Sequence, residues 1–85
     1  MKRFTRAEIE NKVLESAAEV ICVDRLDVTL ISNFVTDLCA DSLDQVELIE
    51  VLEGQLGLDI PDEDAEELQT VQQTVDYIFD RVGKG

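Results

Sequence analysis

The stretch Ser42-Leu43-Asp44-Gln45-Val46-Glu47-Leu48-Ile49-Glu50-Val51-Leu52-Glu53-Gly54-Gln55-Leu56-Gly57 decides the fold class. Ser42 with Gln45 three residues on has the form of a capping box, so a helix is expected to start at about Ser42. At about 100° per residue, Leu48, Ile49, Leu52 and Leu56 fall on one side and form a core stripe. Leu43, Val46, Glu47, Glu50, Glu53 and Gly54 fall on the opposite side, two apolar side chains among three carboxylates. Such a face suits docking to a protein, with apolar contacts at the centre and charge around them. Gly57 is placed to end the helix.

The same signals recur outward from this segment. Thr5-Arg6-Ala7-Glu8 is a second capping box, and Ile9, Val13, Ala17, Val20 and Ile21 follow at helical spacing, so a helix is expected over about residues 5–20. Residues 21–41 carry no period; Thr29, Ser32, Asn33 and Asp37 form turns, and Leu26, Val28, Phe34 and Leu38 are expected to anchor the loop in the core. Partial burial is expected for the adjacent Leu30 and Ile31. Pro61-Asp62-Glu63-Asp64 places negative charge at the start of a short helix ending near Leu68. Thr70-Val71-Gln72-Gln73 is a third capping box, followed by the stripe Val71, Val75, Ile78 and Val82. The expected architecture is all-α: a small four-helix bundle, three main helices plus one short one, with a long loop between the first and second. With 85 residues, the chain is expected to form one domain, 1–85.

Composition narrows the function. Twenty Asp and Glu against seven Lys and Arg give a formal charge of −13, and no Lys or Arg occurs from Leu26 to Asp80. That surface disfavours nucleic acid and membrane insertion and favours basic patches on other proteins. Cys22 and Cys39 are too few and wrongly spaced for a metal site or a disulfide framework. With a charged, amphipathic start and no stretch of membrane-spanning length, the chain is expected to be cytoplasmic, or the matured form in an organelle of bacterial descent. There is no histidine, so a Ser–His–acid nucleophile is excluded and no catalytic residue is assigned. Asp59, Asp62 and Asp64 do not have the spacing of a calcium-binding hand, and no metal site is expected.

Ser42 is therefore better read as a residue acted upon than as a nucleophile. It ends a long loop at a helix N-terminus, where an enzyme can reach its hydroxyl and unpaired backbone N–H groups favour an attached phosphodiester. The segment Asp41-Ser42-Leu43-Asp44, preceded by Phe34, Asp37, Leu38 and Ala40, resembles the phosphopantetheine attachment site of acyl carrier proteins. The resemblance continues through Val46-Glu47-Leu48, Leu52-Glu53, Ile60-Pro61-Asp62-Glu63, Ala65-Glu66, Thr70-Val71-Gln72 and Asp76-Tyr77-Ile78.

That resemblance implies that a phosphopantetheinyl transferase moves phosphopantetheine from coenzyme A onto Ser42, flanked by Asp41 and Leu43. The arm then carries acyl groups as thioesters between enzymes. It also implies a docking face with Asp44, Val46, Glu47, Glu50 and Glu53. Its partners would be acyltransferases, ketosynthases, reductases and dehydratases bearing basic patches. Leu52, Ile60 and Leu68 would line an acyl pocket. Dissociated (type II) fatty-acid synthesis, with the chain a monomer, is the leading expectation. A specialised lipid or polyketide pathway is the alternative, and an aminoacyl carrier is less favoured. An unmodified acidic interaction module is the reading from another class. Two departures stand out: Cys39 where the family usually has Gly, and Glu50 where it usually has an apolar residue. A left-handed backbone would be awkward for Cys39, so either the loop differs there or the thiol turns inward as a small hydrophobe.

Overall fold

The computed structural model describes residues 4–83. Helix α1 spans Arg6–Ile21, a 3-10 turn spans Arg25–Asp27, and α2 spans Ser42–Leu56. Helix α3 is the four-residue Asp62–Ala65, and α4, Val71–Ile78, runs on into a π-helical turn, Phe79–Gly83. Among the described residues there is no strand, only an isolated antiparallel bridge between Asn33 and Thr70. The all-α expectation is met.

Each long helix starts where a side chain satisfies its first amides. Thr5 caps α1: its hydroxyl accepts from the Glu8 N–H at 3.2 Å, and Glu8 accepts from the Thr5 N–H at 2.9 Å. Thr70 and Gln73 do the same for α4 at 3.1 and 3.0 Å. Helix α2 differs from expectation by one residue. Its cap is Asp41, whose carboxylate accepts from the Asp44 N–H at 2.8 Å, while Asp44 accepts from the Asp41 N–H at 3.3 Å. Ser42 is thereby the first helical residue and not the cap. Gly57 closes α2 in the left-handed conformation, φ 67°, as its position implied.

Ile9, Val13 and Ala17 of α1, Leu48, Leu52 and Leu56 of α2, and Val71, Val75 and Ile78 of α4 make the core. α1 packs closely on both α2 and α4, whereas α3 packs closely on no other helix. Ile49 is half-buried, at the edge of the expected stripe. The short helix stops at Ala65, and single turns carry the chain on to the buried Leu68.

The long loop is ordered by its own polar groups. Asn33 accepts from the Val35 and Thr36 N–H groups at 2.9 and 3.0 Å, and Asp37 accepts from the Asn33 N–H at 2.8 Å. The Phe34 N–H donates to the Gln69 carbonyl and the Val71 N–H to that of Ser32, which stitches the loop to the start of α4. Val28, Phe34, Leu38 and Ala40 are buried through it. Two loop expectations fail. Leu26 is 86% and Ile31 81% exposed, because each occupies a turn whose backbone is already fixed by local bonds and whose side chain has no core element above it.

Candidate functional site

The beginning of α2 sets the site. Ser42 is exposed, and its hydroxyl makes no hydrogen bond with the other described residues. Asp41 takes the third amide of the helix and leaves the N–H groups of Ser42 and Leu43 with no partner inside the helix. An exposed hydroxyl beside unpaired amides at the positive end of a helix fits an attached phosphodiester. The fit is tempered by the Asp41 and Asp44 carboxylates, which already bring negative charge to that end.

The expected docking residues separate into two kinds. Leu43 and Val46 are 65% and 52% exposed, and Glu47 and Glu50 are exposed. Asp44 and Glu53 are engaged within the fold instead. Asp44 closes the cap, and Glu53 Oε2 accepts from the Ile60 N–H at 2.7 Å. The Glu53 carbonyl also accepts from the Gly57 and Leu58 N–H groups, so the turn into α3 wraps around this one residue.

Between α2 and α3 lies a groove of about 630 Å³ that begins at Ser42. Its α2 wall is Ser42, Gln45, Val46, Ile49, Glu50 and Glu53. Its α3 side adds Asp62, Ala65 and Glu66, with Ile60 between them. Of the expected acyl-pocket residues, only Ile60 borders this groove; Leu52 and Leu68 are also buried but do not line it. Sequence reasoning divided α2 into an inner and an outer face and missed this third one. The spacings 42, 45, 46, 49, 50, 53 on α2 and 62, 65, 66 on α3 are helical stripes and were the available signal.

Cys39 precedes the site with φ 60°, left-handed like a glycine, and its thiol is exposed. The inward-turned thiol is thus corrected: the loop keeps the left-handed bend, which aims the side chain away from the core. Cys22, the cap that ends α1, is likewise left-handed and exposed.

A polar cluster that the sequence reading did not anticipate holds α3 from the α4 side. Tyr77 Oη donates to Asp64 Oδ2 at 2.5 Å, and Arg81 lies 3.4 Å from the same oxygen and 4.1 Å over the Tyr77 ring. Burial, then the bond to Asp64, pushes the Tyr77 phenol above its usual pKa. Among the described residues no group of carboxylates or thiols could hold a metal ion, and no helix is long and apolar enough to cross a membrane.

Residues 11–78, most of α1 through the end of α4, match the family model described as the phosphopantetheine attachment site. This family is defined by covalent attachment of that group, which makes its members carriers of acyl intermediates. With the match covering four-fifths of the sequence and enclosing an accessible serine at a helix start, the chain belongs to the phosphopantetheine-attachment family, that of the acyl carrier proteins.

Proposed function

We propose that Ser42 Oγ is the point of attachment, with Asp41 and Leu43 flanking it, and that the 85 residues act as one acyl-carrier domain. The observation that carries this reading is the exposed, unbonded hydroxyl of Ser42 beside the open amides of α2. The chain's own part in the transfer is small. It offers a reachable hydroxyl and a helix end that tolerates the incoming phosphodiester. Its nearest acids, Asp41 and Asp44, are held in the cap, and there is no histidine, so the transferase must remove the proton from Ser42. Once attached, the arm supplies a thiol on which acyl groups travel as thioesters.

Leu43, Val46, Glu47 and Glu50 form the exposed part of the face that would meet basic acyltransferases, ketosynthases, reductases and dehydratases. Dissociated fatty-acid synthesis in the cytoplasm, by a monomer, is the leading pathway reading. A specialised lipid or polyketide pathway is the second, and the placement of Glu50 on the groove beside Ser42 favours it.

The test is intact mass before and after incubation with coenzyme A, Mg²⁺ and a broad-specificity phosphopantetheinyl transferase. One phosphopantetheine is expected on the parent chain and none on Ser42→Ala. Addition to the Ser42→Ala variant, or to neither chain from an unmodified start, rejects the assignment.

A further inference from the structure

Helix α3 has little of its own to hold it in place. Four residues are too few for a helix that stands alone. Pro61, its cap, makes no side-chain bond to the first amides, and none of the residues Asp62–Ala65 is buried. Among the described residues, the backbone bonds of 61–68 stay within 61–69, and α3 packs closely on no other helix. Ile60 and Leu68, at the two ends of the segment, are buried, yet both stand outside the main apolar cluster built on α1, α2 and α4.

Side-chain chemistry fastens the segment instead. At its start the Ile60 N–H donates to Glu53 Oε2 at 2.7 Å. In its middle Asp64 Oδ2 accepts from Tyr77 Oη at 2.5 Å and faces the Arg81 guanidinium at 3.4 Å, and Arg81 lies over the Tyr77 ring. One carboxylate thus ties α3 to α4 and its π-helical extension. The limits of the segment are fixed on both sides: Gly57 ends α2 in the left-handed conformation, and the Gln69 carbonyl is pinned by the Phe34 N–H. Parting Asp64 from Tyr77 and Arg81 therefore frees the middle of the segment without breaking a backbone bond of α1, α2 or α4. Movement between those limits uncovers Ile60 and Leu68 while the main core stays closed.

We propose that residues 61–68 form a lid that opens as a unit of its own, and that the Tyr77 hydroxyl, braced by Arg81, is the latch that sets how often it opens. The aliphatic interior beneath the lid is then reached by releasing Asp64 and not by unfolding the bundle. The lid is a property of the chain with nothing attached to Ser42, so it stands or falls apart from the attachment reading.

Native-state hydrogen exchange of the unmodified chain, in urea below the unfolding transition, is the test. The Glu66 and Leu68 amides, bonded to the Asp62 and Ala65 carbonyls, report on the lid. The amides of the buried Val13, Leu52 and Val75 report on the core. Lid amides are expected to exchange faster than core amides and with a urea dependence less than about half as steep, because opening exposes little surface. Tyr77→Phe removes one oxygen and keeps the ring beneath Arg81. It should speed lid exchange by about 10-fold, as the loss of a bond to a partly buried carboxylate implies. Ile9→Val, within α1, should speed core exchange by about 2- to 10-fold and leave lid exchange unchanged, because the open state keeps the α1 core. Amide spectra of both variants establish that the bundle is kept. Lid amides that share the urea dependence of the core and follow Ile9→Val would mean that the chain opens only as a whole. Lid amides that open separately but ignore Tyr77→Phe would mean that the hydroxyl is no latch. Either result overturns the proposal.

Discussion

Glu53 is the acidic residue of α2 whose removal should cost most. Its carboxylate receives the Ile60 N–H at 2.7 Å, and Ile60 is only 5% exposed. Glu53→Ala deletes an acceptor bearing full charge and strands a partly buried amide. A hydrogen bond to a charged group contributes about 1.5–3 kcal/mol, but Glu53 is half-exposed and water can reach part of the gap. The expected loss is therefore about 1–2 kcal/mol, and each kcal/mol in a domain of this size lowers Tm by about 4–8 °C. Glu53→Gln retains an amide oxygen in the same place and should recover at least half of the loss. Glu47→Ala is the control, since Glu47 is exposed and every acid removed from a chain of charge −13 relieves some self-repulsion. The assay is thermal unfolding of the three variants, with hydrogen exchange at the Ile60 amide as the local readout. A Glu53→Ala variant that melts with Glu47→Ala and leaves Ile60 exchange unchanged would refute the structural role.

Three further expectations follow from local geometry. Cys39→Gly relieves a left-handed backbone by about 1–2 kcal/mol and loosens the unfolded chain by about 0.4–1 kcal/mol, so urea unfolding should find it neutral to slightly stabilised. Cys39→Val, β-branched at φ 60°, should lose about 1 kcal/mol or more; a stable Val variant would mean the bend is not kept. Tyr77 is the chain's one tyrosine, so phenolate absorbance reports it alone, and its midpoint should lie above 10. Between the unfolded and folded pKa the folded state holds the proton that the unfolded state has lost. This stabilisation is therefore complete below about pH 10 and disappears as pH rises through the folded value. A midpoint at or below 10 would contradict the burial of the phenol together with its bond to Asp64.

The helices were legible because capping is local: a hydroxyl or carboxylate and its partner three residues on suffice to start a helix. The one-residue error at α2 comes from the same rule. Asp41 and Ser42 can both cap, and Asp44 and Gln45 stand ready as their partners. The carboxylate pair prevails, and in doing so frees the Ser42 hydroxyl. Burial within the long loop was legible only in part. Without a period, nothing local separates Phe34, which the Gln69 carbonyl draws inward, from Ile31, which is left in water. The groove required knowing that α3 lies beside α2, and no spacing within either helix states that. The bond from Ile60 to Glu53, seven residues apart across a turn, lies beyond local pattern for the same reason.

The carboxylates of α2 share a helix but not a task. Asp44 and Glu53 are bonded to backbone amides, whereas Glu47 and Glu50 are exposed, and of these only Glu50 borders the groove. A charge substitution at Asp44 or Glu53 changes helix capping or the turn into α3 before it changes any encounter with a basic partner. Activity alone would then credit these positions with the docking proposed for Leu43, Val46, Glu47 and Glu50. The distinction is physical. A steering charge acts at a distance and weakens with salt, whereas an acceptor bonded at 2.7 Å acts through geometry and is far less sensitive to salt. Salt dependence of partner association is thus the property by which an acid on α2 declares which role it has.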